Sequence, residues 1–288
     1  MANANRECDV CLITSEVEKI VDFNGASLCQ GCYEVRSRQI DKVELLARWD
    51  EYIRDIKRKR KGKYDLLFAL SGGKDSIAAL YYTVKKYDLN PLVFTVDHGF
   101  KTDIILQNCL NITKRYNLDW LLVGVSRDIK SEIWQLSSDG DLPCVHCNRL
   151  WKEKYFKQVV ELSGLNVIFT GGDTLVDGMF EKNRPEWGTK SVAFPLPLSF
   201  LNQNEIYSLA LSEGWIDPLV TGWDTDCTAA GVSLKNYREL NGTYHVEELK
   251  HLSHRVRHGL LKKEDARRML GEEMTVSPLV FEQFNTNK

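Results

Sequence analysis

The chain has 288 residues, 43% of them hydrophobic and 27% charged, and a formal charge of −2. Such a chain can bury a sizeable core, and its length suits one catalytic domain with small additions. Near-neutral charge excludes a global attraction to nucleic acid, so a tRNA substrate would need a local basic surface. No apolar run approaches the roughly 18–20 residues that cross a bilayer, and the first residues lack a signal-peptide layout. The expected location is the cytoplasm, with no membrane partner.

Eight cysteines in a cytoplasmic chain point to metals or catalysis rather than disulfides. Cys8 and Cys11, then Cys29 and Cys32, form two CxxC pairs with the spacing of a zinc ribbon, expected over residues 1–35. Four thiolates satisfy tetrahedral Zn²⁺, and so short a segment has too little core to fold without a metal. An iron–sulfur cluster or free thiols are the alternatives. With no open coordination position, the role expected for Zn²⁺ is structural.

A linker helix is expected within residues 36–62, from Asp41 as N-cap to Lys61, with Val43, Leu45, Leu46, Trp49, Ile53 and Ile56 as its apolar stripe. Its end, Lys57-Arg58-Lys59-Arg60-Lys61-Gly62-Lys63, is either a solvated, dipole-complementing terminus or a contact for a phosphate-rich substrate.

A main domain is expected over residues 63–222. The run Asp65 to Leu70 reads as a buried strand, Ser71-Gly72-Gly73-Lys74-Asp75-Ser76 as a glycine turn, and Ile77 to Leu80 as the start of a helix. Glycines let the backbone approach an anion, the helix directs N–H groups and its positive dipole end at it, and Lys74 adds a full charge. The spacing is not that of a Walker A loop. Strands follow at Pro91–Val96 and Trp120–Val125, with helices near 103–116 and 148–163. A further strand from Asn166 ends in Thr170-Gly171-Gly172-Asp173. This alternation predicts an α/β fold, a doubly wound parallel sheet whose strand ends at Ser71, Asp97 and Thr170 converge on a ligand. Residues 223–288 read as a helical C-terminal region, with a break at Gly259 and a helix over Lys263–Leu270.

Cys144 and Cys147 form a third CxxC, and Cys227 stands far downstream. Three cysteines can hold three irons of a [4Fe–4S] cluster and leave the fourth iron open, whereas Zn²⁺ would want a fourth ligand that His146 is poorly placed to supply. Several other residues carry two readings each. His98 is a nucleotide contact or a turn residue, and Cys109 reads as a small buried hydrophobe. His245, His251, His254 and His258 suggest a metal pattern but fit a solvated helix face better. Trp187 would stack on a base or plug a loop.

Ser-Gly-Gly-Lys-Asp-Ser resembles the signature of the PP-loop ATP pyrophosphatases, which split ATP between its α and β phosphates and activate an acceptor oxygen as an adenylate. Within that superfamily the order of phosphate loop, CxxC with a following basic helix (Arg149, Lys152) and a single late cysteine is similar to the iron–sulfur tRNA thiolation (2-thiouridine synthetase-like) enzymes, some of which begin with a zinc finger. The resemblance implies ATP with Mg²⁺, and Ser71, Gly72, Gly73, Lys74 and Ser76 around the phosphates. It places Asp75 at the loop or the metal, Val96 and Asp97 near adenosine, and the Gly171 turn with Asp173 or Asp177 near metal or acceptor. Lys74, Asp75 and Cys227 would be the catalytic residues. Sulfide on the open iron, or a Cys227 persulfide, would replace the activated oxygen of a tRNA or a small nucleotide, drawing on a sulfur donor.

The chain departs from those thiolases after the late strand, where Gly171-Gly172-Asp173-Thr174 stands, and after Cys227, where no proline follows closely. It also resembles the N-acetyl sugar amidotransferases through its N-terminal knuckle, Phe94-Thr95-Val96-Asp97-His98-Gly99, and the tail Arg257-His258-Gly259-Leu260-Leu261-Lys262-Lys263-Glu264-Asp265-Ala266. That resemblance implies a sugar acceptor and ammonia from a glutaminase partner. A homodimer is an admissible assembly under either.

Overall fold

In a computed structural model, the structure describes residues 6–38, 41–139, 146, 148–175, 179–218 and 246–271. The chain divides into two compact units, Met1–Asp41 with Arg238–Glu273, and Lys42–Tyr237 with Met274–Lys288. Cys144, Cys147, Asp177, Cys227 and His245 lie outside the described residues.

In the first unit an antiparallel hairpin, β1 (Ile20–Phe23) and β2 (Ala26–Cys29), runs into α1 (Gln30–Ser37). The hairpin turns on Asn24 and Gly25, both at positive φ (50° and 80°), as a two-residue Asn-Gly turn requires. Cys29 ends β2 and caps α1, its sulfur accepting from the Cys32 N–H at 3.4 Å.

The second unit begins with α2 (Lys42–Lys59), whose buried residues Leu45, Trp49, Ile53 and Ile56 follow the expected stripe. Val43 and Leu46 do not belong to it; they are 78% and 37% exposed. Then come β3 (Leu66–Ala69), α3 (Lys74–Tyr81), β4 (Pro91–Asp97), α4 (Asp103–Arg115), β5 (Trp120–Gly124), α5 (Arg127–Ser138), α6 (Glu153–Ser163), β6 (Val167–Thr170), β7 (Glu181–Arg184), β8 (Thr189–Ala193) and α7 (Gln203–Ser212). The six strands of this unit lie in the order β5-β4-β3-β6-β8-β7, parallel except for the edge pair β7–β8. The chain winds outward through β3, β4 and β5 and then places β6 on the other side of β3. The sheet is doubly wound, with its switch point beside β3, where ligands are held in such sheets.

Successive side chains leave β3 on opposite faces. Leu66 and Phe68 pack with Trp49, Ile77 and Phe169, while Leu67 packs with Phe94, Phe156 and Ile168, so both faces of the sheet are covered. The pairing Ala69↔Thr170 brings the carboxyl ends of β3 and β6 level, while β4, paired to β3 as far as Ala69↔Phe94, runs on to Asp97. The β7–β8 hairpin is absent from the sequence pattern, because Glu181-Lys182-Asn183-Arg184 carries no apolar alternation and pairs only at the sheet edge. Trp187 follows it and is buried, its ring 4.8 Å from that of Phe156 with the Arg184 guanidinium over its face, so it fills core instead of offering a stacking platform.

The basic run that ends α2 is paired locally at five of its residues. Lys57 pairs with Asp88, Arg58 and Lys59 with Asp55, Arg60 with Asp65, and Lys63 with Asp119, as on a solvated terminus. Helices α8 (Val246–Arg257) and α9 (Lys263–Gly271), parted at Gly259 (φ 73°), complete the first unit.

Trp49 is fully buried, with the rings of Phe180, Tyr87 and Phe169 at 5.0, 5.4 and 5.5 Å. Trp49→Ala is expected to cost about 3–5 kcal/mol. Chemical denaturation checks this, and a loss under about 1 kcal/mol would show that α2 does not anchor this core.

Candidate functional site

Leu70 leaves β3 still bonded to β4, its N–H donating to Phe94 O at 2.9 Å, and the chain then turns at Gly72 with φ 94°. A Cβ there would stand 2.5 Å from Ile105 O and 2.9 Å from Cys109 Sγ, so only glycine fits. Cys109 is fully buried and supports the loop from behind as a small apolar group. Gly73 is the N-cap of α3 and brings no side chain to the first-turn N–H groups, which face the carboxyl edge of the sheet as an anion site requires.

Both loop serines bind the loop itself. Ser76, 3% exposed, accepts from the Gly72 N–H at 3.1 Å and donates to Gly73 O at 2.8 Å; Ser71 Oγ donates to Ser76 Oγ at 3.1 Å and accepts from the Gly73 N–H at 3.3 Å. Two residues that the sequence does not single out close the rim. Lys101 Nζ donates to Ser71 O at 2.9 Å, and Trp215 Nε1 donates to Gly72 O at 3.0 Å.

Lys74 Nζ contacts Asp75 Oδ1 at 2.7 Å and Gln203 Oε1 at 2.6 Å, and Gln203 Nε2 reaches Asp173 Oδ2 at 3.4 Å. The structure thus pairs Lys74 directly with Asp75 and links it to Asp173 through Gln203, the first residue of α7. The readable signal for that helix start was the capping box of Asn202 and Glu205. Gly171 serves packing: its Cβ would lie 2.5 Å from Ser76 Cα, so the end of β6 and the first turn of α3 touch backbone to backbone. Val96 is buried against the Phe94 side of the sheet, and Asp97 Oδ1 accepts from the Gly99 N–H at 2.8 Å, holding the turn after β4. His98 is a buried turn residue, its Nδ1 accepting from the Phe100 N–H at 3.3 Å.

A second candidate site lies in the first unit. Cys8, Cys11, Cys29 and Cys32 are all buried, and their sulfurs lie within 4.8 Å of one another, with 3.6 Å between Cys11 and Cys29. A tetrahedral ion with thiolates at about 2.3 Å sets its sulfurs about 3.8 Å apart, so the four fit one ion. Hydrogen bonding among the four sulfurs pulls Cys8 and Cys11 below the usual thiol range, Cys11 to about 7, and pushes Cys29 and Cys32 above it. His254 of α8 is exposed, as on a solvated face, whereas His251 of α8 and His258 just beyond it are half-buried, and burial pushes these two down to about 4.

No protein-family model matches the chain. Among solved structures, it is similar to glutamine-dependent NAD+ synthetase of Acinetobacter baumannii (16% identity, 43% of this chain and 23% of that one, TM-score 0.33). NMN synthetase of Francisella tularensis is 12% identical over 86% of this chain and 93% of its own, with a TM-score of 0.42. The U34-tRNA thiolase NcsA of Methanococcus maripaludis, solved with its [4Fe-4S] cluster, is 14% identical over 93% of this chain and 89% of its own, with a TM-score of 0.39. Likenesses this distant decide nothing about the chemistry of the present chain. The uncharacterized protein MJ1599 of Methanocaldococcus jannaschii is 30% identical over 278 residues, 96% of this chain and 97% of that protein, and the chain belongs to its family.

Proposed function

We propose that the protein is an adenylating ATP pyrophosphatase of the PP-loop kind that replaces the activated oxygen of its acceptor with sulfur. One observation carries the ATP reading: the strand–glycine–helix turn at the switch point, where the uncapped first turn of α3 and Lys74 face the carboxyl edge beside Asp75 and Asp173. N–H groups and Lys74 would stabilise the charge that builds on the α phosphate as an acceptor oxygen attacks it and pyrophosphate leaves. Two carboxylates beside a triphosphate call for a divalent cation, and Mg²⁺ is the ion that Asp75 and Asp173 would help to hold. Gln203 keeps Lys74 and Asp173 in register before the nucleotide arrives.

The sulfur reading rests on Cys144, Cys147 and Cys227 as ligands of a [4Fe–4S] cluster, which when bound supplies an iron position for sulfide. A sulfur nucleophile then displaces AMP from the adenylate, and the acceptor's C–O bond becomes C–S. The acceptor class is a tRNA or small nucleotide. The four N-terminal cysteines are proposed as a structural Zn²⁺ site, since a single closed S₄ shell leaves no position for substrate.

An amidotransferase on an N-acetyl sugar is the second reading. It is favoured by the finding that the knuckle and the Arg257–Ala266 tail, the two terminal features behind that resemblance, share one core.

Lys74→Met should lower pyrophosphate release about 10²–10³-fold while the fold is kept. The assay is MgATP with unfractionated tRNA and sulfide under anaerobic conditions, and in parallel with a UDP-N-acetyl sugar and ammonium. Pyrophosphate formation that is indifferent to Lys74, or an ATP analogue that fails to bind the wild type, would refute the reading. Metal analysis of anaerobically purified protein divides the two acceptor chemistries. About one zinc and four irons per chain, the irons lost in Cys227→Ala, is the expected result, whereas zinc without iron would favour the amidotransferase.

A further inference from the structure

Gly31 occupies the first turn of α1, between Gln30 and Cys32, at a backbone conformation open to any residue. Glycine in a helix costs about 1 kcal/mol relative to alanine, so its presence asks for a reason. The reason is Arg257, the last residue of α8: a Cβ on Gly31 would fall on its guanidinium. Nη2 of Arg257 donates toward Cys29 Sγ at 3.8 Å, and its Nε is buried without a hydrogen-bond partner. Arg257 is half-buried, and a guanidinium drawn partly out of water is costly unless anionic charge stands beside it.

The rest of the tail meets the same knuckles. Ser253 Oγ accepts from the Leu12 N–H at 3.2 Å, Lys263 Nζ donates to Cys8 O at 2.6 Å and pairs with Glu7 at 2.8 Å, and Arg267 pairs with Glu7 at 2.5 Å. Leu252, Val256, Ala266 and Leu270 are buried in one cluster with Leu12, Ile13, Leu28 and the four cysteines.

We propose that Arg257 is an outer-shell partner of the metal site, donating to the Cys29 thiolate and offsetting the charge of the tetrathiolate, and that the metal thereby holds α8 and α9 on the N-terminal knuckles. Zn²⁺ with four thiolates carries −2, and a guanidinium against the thiolates removes half of it. Outer-shell donors of this kind typically change metal affinity by about 10–100-fold. The inference rests on the reading that these cysteines bind a metal, and it goes beyond that reading by assigning the tail its role.

The test uses the full chain and competes Zn²⁺ against a chromogenic chelator, with Co²⁺ as spectroscopic probe. Arg257→Gln should weaken Zn²⁺ by about 10–100-fold, and Arg257→Lys should recover part of the loss. The Co²⁺–thiolate charge-transfer band should move to lower energy in Arg257→Gln, because a thiolate without its N–H donor is a better electron donor. Gly31→Ala keeps every charge and leaves Arg257 in place but takes the space of its guanidinium, so it should reproduce both effects even if an Arg257 variant folds poorly. Chelation of the wild type should expose the Val246–Gly271 segment to limited proteolysis. Affinity and band position unchanged in both Arg257→Gln and Gly31→Ala would overturn the proposal, although the metal site itself would stand. A wild type that binds neither ion at the four cysteines would overturn both.

Discussion

The candidate nucleotide site depends on a backbone contact, the first turn of α3 lying directly on the end of β6. At Gly171 no Cβ separates the two, and the contact falls on Ser76, which also ties the loop to itself. On the other side Gly72 lies against Ile105 and Cys109 of α4 with no room for a side chain. The loop is therefore clamped between β6 and α4, and this packing holds its conformation. Preorganised donors of that kind spend little free energy on reordering when charge develops, which is the property an adenylating site needs.

That clamp assigns unequal duties to residues that look alike in the linear motif. Ser71 and Ser76 spend their hydroxyls inside the loop, whereas Lys74 points to the carboxyl edge and is held there by Asp75 and Gln203. Asp173 joins this group through Gln203, and Asp97 holds the turn after β4. Polar residues at strand ends thus divide into those that shape the floor of the site and those that face its mouth.

The first unit solves a different problem, that of a small core. Its hairpin and short helix bury few large side chains, and the cysteines themselves form part of the interior with Leu12, Ile13 and Leu28. A segment of this size gains stability from a bound ion and from any further apolar surface it can recruit. Here the recruited surface is the buried stripe of α8 and α9, brought from the far end of the chain. Of the ion pairs at Glu7, that with Arg267 is exposed and contributes little, while Lys263 is half-buried.

Local chemistry was legible in the sequence. The strand–glycine–helix turn at Ser71–Ser76, the helix of Trp49 and Ile53, the strands at Pro91 and Trp120, and the two CxxC knuckles all follow from periodicity, turn residues and spacing, which act over a few residues. What the tertiary structure decided is whatever depends on contact between distant segments. Gln203 joins the site only because α7 starts beside Lys74, the polar strand Glu181–Arg184 exists only because β8 pairs with it, and Trp187 becomes core only once Phe156 is beside it. The tail from Arg257 reads as a polar helix end until the knuckles are placed against it. Such contacts join residues up to 260 positions apart, as Arg267 and Glu7 are, and no local pattern encodes them because the free energy that selects them is released only when the chain has closed.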